Sequence, residues 1–336
     1  MKQSRFIAGA LSLCIMGTNF IGMNVSAADL FGAGKCGENA SWTLDVEGNL
    51  IVTGTGEMTD YSYSSFGSDY DGNITYMDWN GEAPPWYGIR DQIKTVTIGS
   101  GITYVGDMVF IDCDNLTEIN LPDTLEVLGG HCFAYCNALE KVSLPDSVKR
   151  LDGDTFECCV SLKDVKLSES LTFIGYAAFA HTAVERVVLP ESVEELYCLV
   201  FDHCPYLSKL VFLNEDCVIF DSENTIYSRV NICGFEGSTA QAYAEAYGRN
   251  FLPVTNAFEL GDVNIDGSVN ALDASLVLTE YAYISTTGNH AFNLLENLIA
   301  DVDSDKMINS LDASYILSYY AYKATGGFLS FEQYMK

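Results

Sequence analysis

Basic side chains are scarce in this sequence. Seventeen lysines and arginines stand against 46 aspartates and glutamates in 336 residues, a formal net charge of −29. Bulk electrostatics therefore exclude binding to nucleic acid or to an anionic membrane surface. Signatures of catalysis are missing as well: there is no Gly-x-Ser-x-Gly elbow, no His-Glu-x-x-His pair and no glycine-rich phosphate loop. A carboxylate pair for glycoside hydrolysis stays open, because such pairs are assembled by the fold. Long apolar runs are lacking outside the first residues, where Lys2 and Arg5 precede the run Phe6–Met16 and Val25-Ser26-Ala27-Ala28 follows. That layout predicts a secretory signal peptide over residues 1–28, cleaved near Ala27 or Ala28. No other stretch is long enough to span a bilayer, and no wall-anchoring signal ends the sequence. Cleavage leaves 15 basic against 46 acidic residues, a net charge of −31. The expected product is a released, extracellular chain, held in place by whatever its C-terminal region binds.

What the sequence does have is two short acidic loops, Asp262–Asp273 and Asp301–Asp312. In the first, oxygen-bearing side chains stand at positions 1, 3, 5, 9 and 12 (Asp262, Asn264, Asp266, Asn270 and Asp273), with Gly267 at position 6 for a sharp turn. The second repeats them as Asp301, Asp303, Asp305, Asn309 and Asp312 but carries Lys306 in place of the glycine. Position 7 is Ser268 in one loop and Met307 in the other, where a backbone carbonyl serves as ligand. Such a spacing of hard oxygen donors suits Ca²⁺, which takes six to eight of them. Both loops run straight into a repeated segment, Asn270–Tyr283 and Asn309–Tyr322, that reads as a helix. Lys306 predicts a more strained turn in the second loop.

Two loop-helix copies 39 residues apart make this region, about Phe258–Lys336, similar to a type I dockerin. Those calcium-dependent modules plug proteins into cohesins on cellulosome scaffolds. The resemblance implies two bound Ca²⁺ ions and an all-α module of two EF-hand-like loop-helix motifs. It also implies recognition positions at 10, 11, 17, 18 and 22 of each copy. Carried over, these are Ala271, Leu272, Leu278, Thr279 and Tyr283, then Ser310, Leu311, Leu317, Ser318 and Tyr322. Helical spacing puts each set on one face.

The middle of the chain is periodic. Phenylalanines recur at 110, 133, 156, 179 and 201 inside a frame Phe-x-x-Cys-x-x-Leu-x-x-Val-x-Leu-Pro. A fixed period in the twenties means a solenoid whose turns bury their faces against one another. The alternation in Ile119-x-Leu121 and its copies predicts one short strand per turn, stacked in parallel. Thr182 replaces the repeat cysteine in a turn one residue short, which predicts a local irregularity. This region resembles the BspA-like bacterial leucine-rich repeats. Cys36–Asp45 with Ala83–Tyr87 is similar to that family's N-terminal hairpin cap, and Ile232–Gly248 to its C-terminal cap. The expected organisation is a signal peptide (1–28), a hairpin cap with an aromatic loop (29–92), repeats with their cap (93–254) and a dockerin (258–336). The fold class is a β-rich leucine-rich-repeat solenoid joined to a small all-α calcium-binding module.

Eleven cysteines invite a disulfide framework, but Cys113, Cys136, Cys159 and Cys204 share one repeat position. In-register side chains point in parallel rather than toward each other, so buried free thiols are expected. A metal site is not expected at that position, since His131, His181 and His203 stand elsewhere in the repeat. Glu118, Lys141, Asp164, Arg186 and Lys209 predict a row of solvated ion pairs on the outer strand face. Tyr61, Tyr63, Phe66, Tyr70, Tyr76 and Trp79 lie among Gly, Ser and Asp in a long predicted loop, the first candidate for ligand contact outside the dockerin.

The reading is a secreted, non-catalytic cellulosome component in a setting of polysaccharide breakdown. Its dockerin binds a cohesin and its repeats bind a protein or glycan. The rival readings are an enzyme on the same dockerin, either a plant-fibre hydrolase or a cysteine peptidase, and a peptidase inhibitor or adhesin acting through the repeat surface.

Overall fold

The computed structural model describes residues 30–68 and 74–336. The expected signal peptide, 1–28, and Tyr70 lie outside the described residues. Strands Leu30–Lys35, Ala40–Asp45 and Asn49–Gly54 form an antiparallel cap, and Thr95–Ile98 and Glu118–Asn120 continue the same sheet in parallel. The cap works because Ala40, Trp42, Leu44, Leu50 and Val52 alternate inward and end the column of apolar side chains.

The period of 23 becomes a column of rings. Trp86, Phe110, Phe133, Phe156, Phe179 and Phe201 stack with centroids 5.1–5.7 Å apart and planes within 13° of parallel. Two residues flank each phenylalanine in left-handed backbone, at offsets −2 and +2: Met108 and Asp112, His131 and Tyr135, Asp154 and Cys158, Ala177 and His181, Leu199 and His203. Each costs a non-glycine residue about 1 kcal/mol. The cost is offset by turn-to-turn bonds such as Phe133 N–H to Thr155 O (3.0 Å) and Phe156 N–H to Ala178 O (2.9 Å).

Each turn contributes two strands, one more than the alternation predicts. The second is only two residues long (Val127–Leu128, Arg150–Leu151, Phe173–Ile174, Glu195–Leu196 and Val218–Ile219), and with Gly56–Glu57 and Ile102–Val105 these form an unbroken seven-stranded parallel sheet. The face predicted to stack continuously is instead divided. Lys141–Ser143 pairs with Asp164–Lys166 alone, and Arg186–Leu189 starts a new sheet with Lys209–Phe212, Asn231–Gly234 and Phe251–Pro253. The second break falls at the short turn holding Thr182.

The ten described cysteines are free. Cys136, Cys159 and Cys204 donate to the carbonyl of the phenylalanine one turn back (Phe110, Phe133 and Phe179, 3.1–3.3 Å). The row of outer ion pairs does not form: no ion pair joins Glu118, Lys141, Asp164, Arg186 or Lys209 among the described residues. Pairs form one residue earlier instead, as in Lys163–Glu140 (4.0 Å).

Helix α1 (Thr239–Ala246) covers the last turn, capped by Ser238. After a short bridge come α2 (Ala271–Thr287), α3 (Leu294–Ala300), α4 (Ser310–Ala324) and α5 (Phe331–Met335). No described helix is long and apolar enough to cross a membrane.

Candidate functional site

Helices α2 and α4 start alike because the loops before them end alike. Asn270 accepts from Leu272 N–H (2.8 Å) while Asp273 accepts from Asn270 N–H (2.8 Å). Asn309 and Asp312 repeat this capping box at 2.7 and 2.9 Å. Position 1 holds the turn: Asp262 accepts from Asp266 and Gly267 N–H (3.0 and 2.9 Å), and Asp301 from Asp305 and Lys306 N–H (3.0 and 2.9 Å). Lys306 takes the left-handed position of Gly267, with φ 68° against 89°, so the second loop keeps its shape at a cost of about 1 kcal/mol.

The donor set fits a hard cation. Carboxylate oxygens of Asp301, Asp303 and Asp305 lie within 4.8 Å of one another. Asp273 and Asp312 are fully buried, and burial raises both carboxyls above the ordinary range. Among the described residues no Lys or Arg forms an ion pair with a carboxylate of either loop. Oxygen-only donors around such charge are what Ca²⁺ requires.

Of the ten carried-over helix positions, nine are exposed. They include the leucine pairs Leu272 and Leu278 on α2, and Leu311 and Leu317 on α4, each more than 40 % accessible. The tyrosines differ. Tyr283 is exposed, whereas Tyr322 is half-buried against Tyr334 (centroids 5.0 Å), and its hydroxyl accepts from Phe328 N–H (3.2 Å). The helical module thus has two similar faces that are not identical.

Sequence reasoning missed the helix between the copies. α3 is announced by Asn293 and Glu296, a capping box in which each side chain meets the other's backbone N–H at 2.9 Å. Glu280, buried on α2, anchors the preceding turn by accepting from Ala291 and Phe292 N–H.

The helical module is not free of the solenoid. Val211, Leu213 and Cys233 point outward from the last strands, yet they are buried in one apolar cluster with Val254, Val263 and Ile299. Arg186 donates to Ile265 O (3.1 Å), Lys209 donates to Ala257 O, and both cations lie near the Phe258 ring. Asn293 bonds Glu169 at 3.2 Å.

The predicted aromatic loop is a two-stranded hairpin, Tyr63–Ser68 with Ile74–Trp79. Tyr61, Tyr63 and Trp79 pack over Met108, Ile111 and Ala134, leaving Phe66 and Tyr76 exposed. At its base Asp60, Tyr61, Asn80 and Glu82 line a polar cleft of about 350 Å³.

Comparison with known proteins bears on both parts. Residues 87–208 match the BspA type leucine rich repeat region in six copies, and residues 260–319 match the dockerin type I domain. No curated protein is matched. Among solved structures, a leucine-rich repeat protein from Eubacterium ventriosum is 26 % identical, with a TM-score of 0.46 over 55 % of this chain and 44 % of the other. The chain therefore spans less than half of that relative's length. The T. pallidum leucine-rich repeat protein is 20 % identical, with a TM-score of 0.40 over 68 % and 97 %. A leucine-rich cell surface protein from Faecalibacterium prausnitzii is 19 % identical, with a TM-score of 0.33 over 55 % and 56 %. Type I dockerins are calcium-binding, cohesin-binding modules, and neither matched region is of a catalytic type. Residues 87–208 are therefore a BspA-type leucine rich repeat region, and residues 260–319 a type I dockerin domain.

Proposed function

We propose that this protein is a secreted, non-catalytic component of a cellulosome-type assembly. Its dockerin, loaded with two Ca²⁺ ions, plugs into a cohesin, and its repeats present a surface to a protein or glycan in a polysaccharide-degrading setting. The first ion would be held by Asp262, Asn264, Asp266, Ser268, Asn270 and Asp273. The second would be held by Asp301, Asp303, Asp305, Met307, Asn309 and Asp312. The observation that carries the reading is the pair of exposed leucine doublets, Leu272 with Leu278 and Leu311 with Leu317. Apolar side chains left in water at matching positions of two capped helices are what a partner's groove would cover.

Titration calorimetry against a panel of cohesins tests it. Leu272→Asp with Leu278→Asp should leave one face working, as should Leu311→Asp with Leu317→Asp. All four changes together should abolish binding. Wild-type chain that binds no cohesin in saturating Ca²⁺ would overturn the reading. For the repeats, the ring hairpin is the best-supported contact site, since Phe66 and Tyr76 stay exposed above a polar cleft.

A further inference from the structure

The repeat geometry assembles one cluster that neither the calcium loops nor the helix faces use. His131 stands at offset −2 from Phe133, and Asp154 occupies the same offset one turn later, both in left-handed backbone. Glu157, at offset +1 from Phe156, stands beside them. The adjacent turns place Met108 and Ala177 in the first row and Ala134 and Ala180 in the second. Apolar residues of the adjacent turns thus flank three ligating side chains at a single point.

Their atoms converge. His131 Nε2 lies 3.4 Å from an Asp154 oxygen, and Nδ1 lies 3.8 Å from a Glu157 oxygen. One ligand atom from each falls within 4.8 Å of the other two. Nδ1 is itself buried and has no hydrogen-bond partner. No lysine or arginine forms an ion pair with either carboxylate among the described residues. Tyr63, from the aromatic hairpin, sets its ring edgewise on His131 at 6.2 Å and screens one side from water. Burial holds the imidazole below its usual range and pushes Asp154 up to about 7.

We infer that His131, Asp154 and Glu157 form a binding site for a divalent transition-metal ion of the Zn²⁺ type, separate from the calcium loops. One imidazole and two carboxylates are donors that Zn²⁺ accepts, and three protein ligands leave a coordination position open to solvent. Zn–N and Zn–O bonds of about 2.0–2.2 Å put tetrahedral ligand atoms about 3.3 Å apart. The two short contacts use opposite ring nitrogens, so an ion bound to one of them draws the other carboxylate in from within 4.8 Å, a closure of up to about 1.5 Å to reach tetrahedral spacing. A Ca²⁺ ion would prefer more oxygens and no nitrogen, so the two kinds of site divide the metals between them.

The test is a Zn²⁺ titration of the full chain held in saturating Ca²⁺, followed by calorimetry and by metal analysis after dialysis. One Zn²⁺ per chain is expected. His131→Gln and Asp154→Asn should each weaken it by about 100-fold or more, with Ca²⁺ stoichiometry unchanged. Cys158→Ser, beside the cluster, should retain it. Absence of Zn²⁺ binding by the wild type overturns the site. So does binding that survives both ligand substitutions or disappears with Cys158→Ser.

Discussion

Arg186 and Ile265 are 79 residues apart, and the arginine side chain donates a 3.1 Å hydrogen bond to the isoleucine carbonyl. Ile265 is the fourth residue of the first acidic loop, Asp262–Asp273. Lys209, one turn on, reaches the Ala257 carbonyl. Cations that the sequence places in a solvated row are thus drawn to the dockerin.

Removing both contacts by Arg186→Ala with Lys209→Ala should loosen the dockerin without unfolding it. Each bond contributes about 1 kcal/mol. Amide exchange over residues 254–265 should therefore quicken by one to two orders of magnitude, while exchange in the repeats stays as it was. Unaltered exchange at the bridge would show that the apolar cluster alone holds the module.

Chelation should act on the other side of the same contact. Without Ca²⁺ the loop carboxylates repel one another, so ion binding contributes folding free energy to residues 258–336. Circular dichroism in excess chelator should lose the signal of α2 and α4 and keep that of the solenoid. Val211, Leu213 and Cys233 would then be uncovered, and a hydrophobic dye should bind. Retained helix signal in chelator would count against calcium as a folding partner.

Thiol chemistry gives a third outcome. Burial raises the thiols of Cys36 and Cys217 to about 12, and that of Cys132 rises too. A disulfide reagent should modify native protein slowly and should modify Cys113, Cys136, Cys159 and Cys204 readily once it is unfolded. Mass spectrometry of unreduced peptides linking Cys113 to Cys136 would refute the free-thiol ladder.

Arg90, partly exposed, pairs with the buried Asp112 at 2.7 Å, and burial lifts the Asp112 carboxyl to about 6. A folded-state pKa above the unfolded value contributes stability that is complete below about pH 4 and fades as pH rises through 6. Arg90→Met removes the counterion from that charge. Its cost should be about 3 kcal/mol at pH 7 and markedly less at pH 4, where Asp112 is protonated. Denaturant melts at the two pH values decide it, and an equal loss at both would contradict the assignment.

How far the sequence could be read follows from the range of each signal. Phe110 to Phe201 announce the solenoid because one ring per turn is a periodic pattern. The two-residue strands such as Arg150–Leu151 leave no alternation to detect, so the second sheet stays hidden. Asn293 and Glu296 did carry a helix signal, in a segment overshadowed by the loop repeats. The covered face was also written in the chain. The outward strand residue is Asn120, Ser143 and Lys166 in the early turns and Val188, Val211 and Cys233 in the late ones. The change from polar to apolar marks where the dockerin packs. The cluster at His131 is harder to see, because it joins two offsets from adjacent turns.

The bridge from Phe251–Pro253 to Asp262 is short, and Val254 and Ala257 within it are buried. The dockerin is therefore mounted on the solenoid like a bayonet on a barrel. In the proposed docking, an exchange of α2 for α4 in a partner's groove turns everything attached to it. With no slack at the mount, the ring hairpin at the far end would swing through an arc set by the length of the solenoid. A choice between two similar helix faces then becomes a choice of which way a long rigid arm points. Tyr322, tied down where Tyr283 is not, gives the two positions unequal weight.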